Sequence, residues 1–217
     1  MNLPLDPVIQ LLHRAPYGTL ATRSTALPGY PFATAVPNVL DESHQPLLLV
    51  SALAEHTKNL LADPRVGLAM IEPGASDVQA ASRLSLIGDA ERFTPGAELL
   101  ARYQRYVPEA ESYLQLDFMF FRIVPKRIRY IAGVGRMGWI EAAAWTALVA
   151  LPLVDEAPLL DLAGQGLPDG IRVLGIDRYG IDFEKAGARQ RQAFPGGPLA
   201  DDALVEQARL FAQSAKH

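Results

Sequence analysis

Cysteine is absent from this chain of 217 residues. Its absence excludes disulfide bonds, thiolate catalysis, iron–sulfur clusters and cysteine-ligated zinc. Nothing in the sequence therefore requires an oxidising compartment. The first residues lack the basic segment and the apolar core of a signal peptide, and there is no run of about 18 apolar residues that could span a bilayer. We expect a soluble, cytoplasmic protein that does not enter a membrane.

Blocks of positive charge are also missing. The chain carries 20 basic and 24 acidic residues, a formal net charge of −4, which argues against a nucleic-acid partner. Local fields can oppose the net charge, so a small anionic ligand stays possible. Hydrophobic residues make up 49% of the chain, enough for one large domain or for a main domain with a small appendage.

Familiar catalytic patterns are absent as well. The sequence has no Gly-x-Ser-x-Gly, no phosphate-binding lysine loop and no His-Glu-x-x-His, so it supports neither a serine triad nor zinc hydrolysis. No side chain stands out as a general acid or base. The histidines lie far apart, which predicts no metal site but leaves a single haem ligand open: His13, His44, His56 and His217. Trp139 and Trp145 could stack on a planar ring, although packing in a core or an interface is the usual role of tryptophan.

Hydrophobic alternation predicts seven strands within the first 132 residues, at 18–23, 32–39, 46–50, 65–71, 83–93, 118–124 and 127–131. A bend or bulge is expected near Gly88. Helices are few there: one at 8–14, ended by Pro16, and one from Pro95 to Tyr106 with Thr94 as its N-cap. Such closely spaced strands favour an antiparallel barrel over a parallel sheet with crossover helices.

The remaining chain shows a different pattern, in which helices and short strands are mixed. It predicts helices at 142–151 and 157–163, short strands at 171–177, 180–184 and 188–194, and a final amphipathic helix that starts at Asp201. The fold class is therefore mainly β with peripheral helices. We expect two domains, a barrel over residues 1–140 and a small α+β unit over residues 141–217.

One polar stretch directly follows an apolar strand at the predicted start of a helix: Ser51, His56, Thr57, Lys58 and Asn59. A helix start leaves backbone N–H groups unpaired and carries partial positive charge, so it can hold a phosphate or a carboxylate. Arg23 and Arg83, at the ends of two predicted strands, are the natural additional partners. The alternative is that these residues only cap the helix.

Several segments, in this order, carry a resemblance to a known family: residues 18–22, 29–37, 51–65, 83–88 and 133–139. They resemble the FMN-binding split-barrel proteins related to pyridoxamine 5′-phosphate oxidase. Within that group the chain is similar to the haem-utilisation branch, which often carries a small C-terminal α+β domain. Residues 175–183 and the final helix fit that domain.

The resemblance implies a homodimer of split barrels with two small-molecule sites at the subunit interface, each lined by both chains. It implies FMN as cofactor and an oxidoreductase whose substrate is unknown. The backbone of Thr34 would lie beside the flavin ring. The residues that would hold the phosphate or ribityl oxygens are Arg23, Ser51, His56, Thr57, Asn59 and Arg83.

This chain departs from the family pattern in two places. The oxidase holds the phosphate with arginine and lysine side chains, where this chain has Ala33 or Thr34 and Glu55-His56, so weaker FMN binding is expected. Haem-utilisation relatives often have histidines in a segment that is replaced here by residues 142–170, which contain none. Haem binding or degradation is the alternative function, with His217 as one candidate axial ligand. A binding module without a cofactor is the third.

Overall fold

The computed structural model describes residues 4–133 and 135–215. Its first eight strands are β1 (Tyr17–Arg23), β2 (Pro31–Pro37), β3 (Val39–Leu40), β4 (Pro46–Ser51), β5 (Arg65–Ile71), β6 (Arg83–Phe93), β7 (Phe118–Ile131) and β8 (Met137–Glu141). They form one antiparallel sheet in the order β2-β1-β5-β6-β7-β4-β3, with β8 also paired to β7. The sheet curls into a half-barrel, and we call it the barrel sheet. The predicted mainly β architecture is confirmed.

Strand β7 runs unbroken through Pro125, so the prediction of two separate strands here was wrong. Ile87 pairs with Arg127, whereas Gly88 pairs with Pro125, which leaves Lys126 as an extra residue in a bulge. Irregular pairing accommodates proline, which has no N–H to donate. The predicted irregularity at Gly88 is confirmed, and glycine is required there because a Cβ would collide with the carbonyl oxygen of Val124.

The C-terminal part builds a second, three-stranded antiparallel sheet in the order β11-β10-β9. Its strands are β9 (Ile171–Asp177), β10 (Gly180–Lys185) and β11 (Ala188–Ala193), close to the predicted bounds. The helices within the described ranges are α1 (Asp6–Arg14), α2 (Glu55–Ala62), α3 (Ala97–Tyr106), α4 (Ala110–Tyr113), α5 (Ala142–Thr146), α6 (Leu153–Ala163) and α7 (Asp201–Ser214). A core of its own joins the second sheet to α6 and α7: Leu151, Leu159, Ile176, Ile181, Leu204 and Phe211.

Helix α1 lies between the two sheets. Val8, Ile9, Leu11 and Leu12 are fully buried and belong to the core of the barrel sheet. The same helix also contacts β11, and Gln10 donates its Nε2 hydrogen to the carbonyl oxygen of Tyr179 at 2.9 Å. The first helix of the chain thus joins the two units.

Helix boundaries depart most from the predictions. Helix α3 begins at Ala97 with Gly96 at the N-cap, so Thr94 does not cap it. The helix predicted at 142–151 ends at Thr146, while α6 starts at Leu153, four residues before the predicted 157. Long-range contacts outweigh local propensity in both cases, since Trp145 packs into the core of the barrel sheet and Glu156 pairs with arginines of α3.

Across the two described ranges, none of the helices is sufficiently long and apolar to cross a lipid bilayer.

Candidate functional site

One side of the barrel sheet is open to solvent and carries small side chains. Paired residues of an antiparallel sheet project to the same side, so the register defines the row Ala35, Thr19, Ala69, Ser85, Arg129 and Trp139 across six strands. We call this side the open sheet face; its other residues include Tyr17, Ala21, Ala33, Gly67, Ile87 and Arg127. Alanine, glycine, serine and threonine in its middle let a flat ligand or another backbone approach closely.

Two arginines edge the open sheet face. The guanidinium carbons of Arg127 and Arg129 lie 4.2 and 5.2 Å from the centroid of the Trp139 ring, within the range of cation–π attraction. Arg127 Nε donates to Glu141 Oε1 at 2.8 Å. Arg129 has no acidic partner among residues 4–133 and 135–215, so its charge is available to an anion.

A depression of about 360 Å³ lies beside Arg129. Most of its lining is apolar or small, and it includes Thr19, Ala69, Ile71, Val78, Ser85 and Ile131. A second depression of about 240 Å³ shares Thr19, Ala69 and Ile71 with the first and extends toward Tyr17 and Pro73. Together they form a mostly apolar surface that borders Arg129 and, in the second depression, Glu72, which pairs with Arg14 at 2.8 Å.

Arg83 lines this depression, but its Nη1 donates to the carbonyl oxygens of Val78 and Gln79 at 2.6 and 3.2 Å. Arg23 lies at the other end of the sheet face and pairs with Asp63 at 3.3 Å. Arg83 is the pairing partner of Ile71, whereas Arg23 lies two residues past Ala21, the partner of Gly67. The two arginines are therefore about 20 Å apart along the strand direction. The structure therefore does not bring these two arginines to one phosphate.

The polar side chains near α2 hold the loop and the helix in place. Thr57 Oγ1 donates to the carbonyl oxygen of Ser51 at 2.6 Å, and Ser51 Oγ accepts from the amide of Leu53 at 3.2 Å. Buried Asn59 donates to Thr22 Oγ1 at 3.0 Å and accepts from the Thr25 amide at 2.9 Å. These contacts are structural, but none of them caps an amide of α2.

The N-terminus of α2 is nevertheless open. Its N-cap, Ala54, provides no side-chain hydrogen bond, and the amides of Glu55 and His56 have no partner within the part of the chain that the structure describes. Partial burial lowers the pKa of His56, so its imidazole is neutral at neutral pH and would offer a hydrogen bond rather than a charge. Lys58 lies 3.6 Å from Glu55, which offsets its charge.

Thr34 is on the edge strand β2 and is paired with buried Leu20. Its side chain therefore projects away from the open sheet face, while Ala33 and Ala35 lie on that face. His217 is outside the described residues, and no position is assigned to it.

A model of the pyridoxamine 5′-phosphate oxidase family matches residues 6–132. The chain belongs to this family. The match covers more than half of the chain and includes β1 to β7, so these seven strands of the barrel sheet are the family's part of the molecule.

Relatives of this pyridoxamine 5′-phosphate oxidase family member bear names that refer to haem. The non-canonical haem oxygenase HOZ of Arabidopsis thaliana, described as chloroplastic, is 35% identical over 133 residues, which are 60% of this chain and 41% of that protein. The chain thus spans less than half the length of this curated relative. A structure described as a haem-binding protein from Mycobacterium smegmatis is 30% identical, covers 100% of this chain and 99% of its own, and superposes with a TM-score of 0.62.

A third match also covers the C-terminal unit. The protein Atu2129 of Agrobacterium tumefaciens, of unknown function, is 22% identical with a TM-score of 0.74. The alignment covers 97% of this chain and 98% of that one. At this identity the likeness shows that the two-sheet architecture is shared.

This family member also contains a buried polar network between the barrel sheet and the second sheet, which sequence reasoning missed. Its members come from five distant segments: His13, His44, Arg102, Glu156, Asp177, Asp182 and Arg191. Burial lowers the pKa of His13 and lowers the pKa of His44 to about 3. Burial alone would raise the pKa of Asp182, but His13 and Arg191 hold it well below its usual range.

Proposed function

We propose that this protein binds haem on the open sheet face. The observation that carries the proposal is an apolar depression beside Arg129, a cation without an acidic partner in the described ranges. Haem is a planar, mostly apolar ring with two carboxylate side chains. Small side chains in the middle of the face suit the ring, and the Arg129 guanidinium suits a carboxylate. The names of the Arabidopsis and Mycobacterium relatives support the proposal.

Within residues 4–133 and 135–215 the open sheet face carries no histidine. Affinity would therefore come from burial of the ring and from charge-assisted hydrogen bonds to its carboxylates, and axial ligation of the iron by this face is not part of the proposal. When bound, haem would supply the redox chemistry of its iron. The chain's own contribution is to orient the ring and to limit access of water.

Replacing Arg129 with alanine is expected to weaken haem binding by about 10- to 100-fold. The loss of one charge-assisted hydrogen bond costs about 1.5–3 kcal/mol, which corresponds to roughly one to two decades in Kd. Haemin titration followed by the Soret band measures the effect. Arg209→Ala is the control, because Arg209 is exposed on α7 and pairs weakly with Glu206 at 4.0 Å.

Equal haem affinity of the wild type, Arg129→Ala and Arg209→Ala would contradict the proposed site. Addition of ascorbate in air separates two activities. Loss of the Soret band with release of iron would extend the function to haem degradation, and a stable band would limit it to binding.

We further propose that a second copy of the chain covers part of the open sheet face in a homodimer, so that the haem site lies at the subunit interface. The exposed hydrophobic residues of this face support this proposal: Ile87 is 50% exposed and Tyr17 67% exposed. Ile87→Glu would put a charge in the middle of a buried interface, so sedimentation velocity is expected to show a monomer. Val154→Glu, at an exposed position of α6, should leave the dimer intact. A wild-type monomer, or an Ile87→Glu dimer, would overturn the assignment.

FMN is the second candidate ligand, with its phosphate at the N-terminus of α2. The two open amides of α2 favour it, together with the family match. The proposed contacts are the amides of Glu55 and His56, the Ser51 hydroxyl and the His56 ring. Flavin fluorescence titration tests this candidate: quenching that saturates at micromolar FMN supports it, and unchanged fluorescence rejects it. If neither FMN nor haem binds, the remaining alternative is a binding module without a cofactor.

A further inference from the structure

A cluster of potential metal ligands lies in the buried network, away from the open sheet face. His13 is on α1, His44 is in the turn between β3 and β4, and Asp177 ends β9. All three are buried, and each offers one ligand atom within 4.8 Å of the others. His13 Nε2 is 2.9 Å from His44 Nδ1 and 3.3 Å from Asp177 Oδ2.

The hydrogen-bond partners of His13 define which of its nitrogens is free. Asp182 Oδ2 lies 2.6 Å from His13 Nδ1, and Asp182 also accepts from Arg191 Nη1 at 2.7 Å and from the Tyr106 hydroxyl at 2.7 Å. A carboxylate that accepts these bonds is ionised, so the hydrogen belongs to His13 Nδ1. In a neutral imidazole this leaves the lone pair on Nε2, directed at the cluster.

The turn that carries His44 holds the ring in place. Asp41 Oδ1 accepts from the amides of Ser43 and Gln45 at 2.9 and 2.8 Å, and His44 adopts a φ of 59°. Positive φ is uncommon for a residue other than glycine. With this backbone the imidazole turns inward and packs edge-on against the His13 ring, 5.2 Å between centroids.

The ligand types and one distance of the cluster resemble those of a metal site. With bonds of about 2.0–2.2 Å, two ligand atoms of a tetrahedral zinc ion lie about 3.3–3.6 Å apart, near the 3.3 Å between His13 Nε2 and Asp177 Oδ2. The 2.9 Å between His13 Nε2 and His44 Nδ1 is shorter, so these two rings would have to move apart by about 0.4–0.7 Å when an ion binds. Without a cation, His13 Nε2 needs a hydrogen from His44 Nδ1, because the Asp177 oxygen at 3.3 Å offers it only a second acceptor, itself bonded to Arg191. Asp182 accepts a hydrogen bond from the other ring nitrogen of His13, Nδ1. Metal-bound histidines usually donate such a bond to a carboxylate or a carbonyl.

Arg191 offsets part of the negative charge of the site. Its Nη2 donates to both oxygens of Asp177 at 2.8 and 2.9 Å. Arg189 also lies near enough to lower the pKa of Asp182, so two carboxylates and two guanidiniums leave no net charge, and a divalent cation would give the site two positive charges. Imidazole with carboxylate is a ligand set that suits zinc and its neighbours in the first transition row.

We propose that His13, His44 and Asp177 bind one divalent transition-metal ion of the zinc class, which fastens the second sheet to the barrel sheet. The three protein ligands leave a fourth position for water. The competing arrangement is a hydrogen bond from His44 Nδ1 to His13 Nε2 with no ion, and the experiment separates the two.

The test uses the untagged full-length protein, stripped with a chelator, dialysed and loaded with Zn²⁺ or Co²⁺. We expect one metal ion per chain by inductively coupled plasma mass spectrometry, a raised unfolding temperature, and the intense visible absorption of tetrahedral Co²⁺. Asp182→Asn should weaken binding by about 10- to 100-fold, as loss of an outer partner does, and His44→Gln should weaken it more than that. His56→Gln is the matched control, since His56 lies outside the cluster.

Three results would overturn the proposal. The first is a loaded wild type with far less than one metal ion per chain and an unchanged unfolding temperature, which is the result for the hydrogen-bonded pair. The second is a Co²⁺ spectrum of the hydrated ion. The third is equal metal loss in His44→Gln and His56→Gln. The measurements on the wild type decide the question even if a variant fails to fold.

Discussion

Glu156→Ala is expected to lower the free energy of unfolding by about 3–5 kcal/mol, because it leaves a buried arginine without its counterion. Arg102 and Glu156 are each 2% exposed and form an ion pair. Glu156 also accepts from Arg105 Nη2 at 2.8 Å and from the amide of Ile176 at 2.9 Å. Burial alone would lower the pKa of Arg102, but the Glu156 carboxylate raises it above its usual value, so Arg102 stays charged.

Urea unfolding followed by circular dichroism measures this loss. Glu206→Ala, on the exposed surface of α7, is the matched control and should change stability by less than about 0.5 kcal/mol. The double variant Arg102→Met/Glu156→Leu should lose less than Glu156→Ala, since it removes the buried charge of Arg102 together with its counterion, while the remaining Arg105 is 27% exposed and reaches solvent. A Glu156→Ala protein as stable as the control would show that this pair does not hold α3 to α6.

The two tryptophans are expected to differ sharply. Trp145 is 4% exposed and packs into the core of the barrel sheet, whereas Trp139 is 41% exposed on the open sheet face. Trp145→Ala should cost about 3–5 kcal/mol, the usual cost of truncating a buried tryptophan. Trp139→Ala should change stability by about 0.5 kcal/mol or less and should instead weaken haem binding, because the ring edges the proposed site.

Trp145→Phe refines this prediction. The indole Nε1 of Trp145 is buried and has no hydrogen-bond partner in the ranges that the structure describes. Phenylalanine keeps an aromatic ring and removes this unsatisfied donor, so it should cost less than half as much as alanine. Urea unfolding of the three variants is the measurement. Equal losses for Trp139→Ala and Trp145→Ala would show that Trp145 does not anchor α5 to the barrel core.

Local patterns in the sequence were enough to predict most strands. Apolar side chains must alternate where one side of a strand is buried, so β1, β5 and β6 were predicted close to their observed bounds. Helix ends were predicted less well, because Trp145 and Glu156 make their decisive contacts with distant residues. Pro125 did not divide β7, since the pairing partner at Gly88 allowed a bulge.

For the candidate sites, the sequence by itself determined the polar stretch at the start of α2, the absence of thiols, and which residues share a side of each strand. Only the tertiary structure decided which side stays open and that Thr57 and Asn59 are used by the backbone and by Thr22. It also brought ligand atoms of His13, His44 and Asp177 within 4.8 Å of one another. The physical reason is that such contacts depend on how separate elements pack, and local periodicity carries no record of that packing.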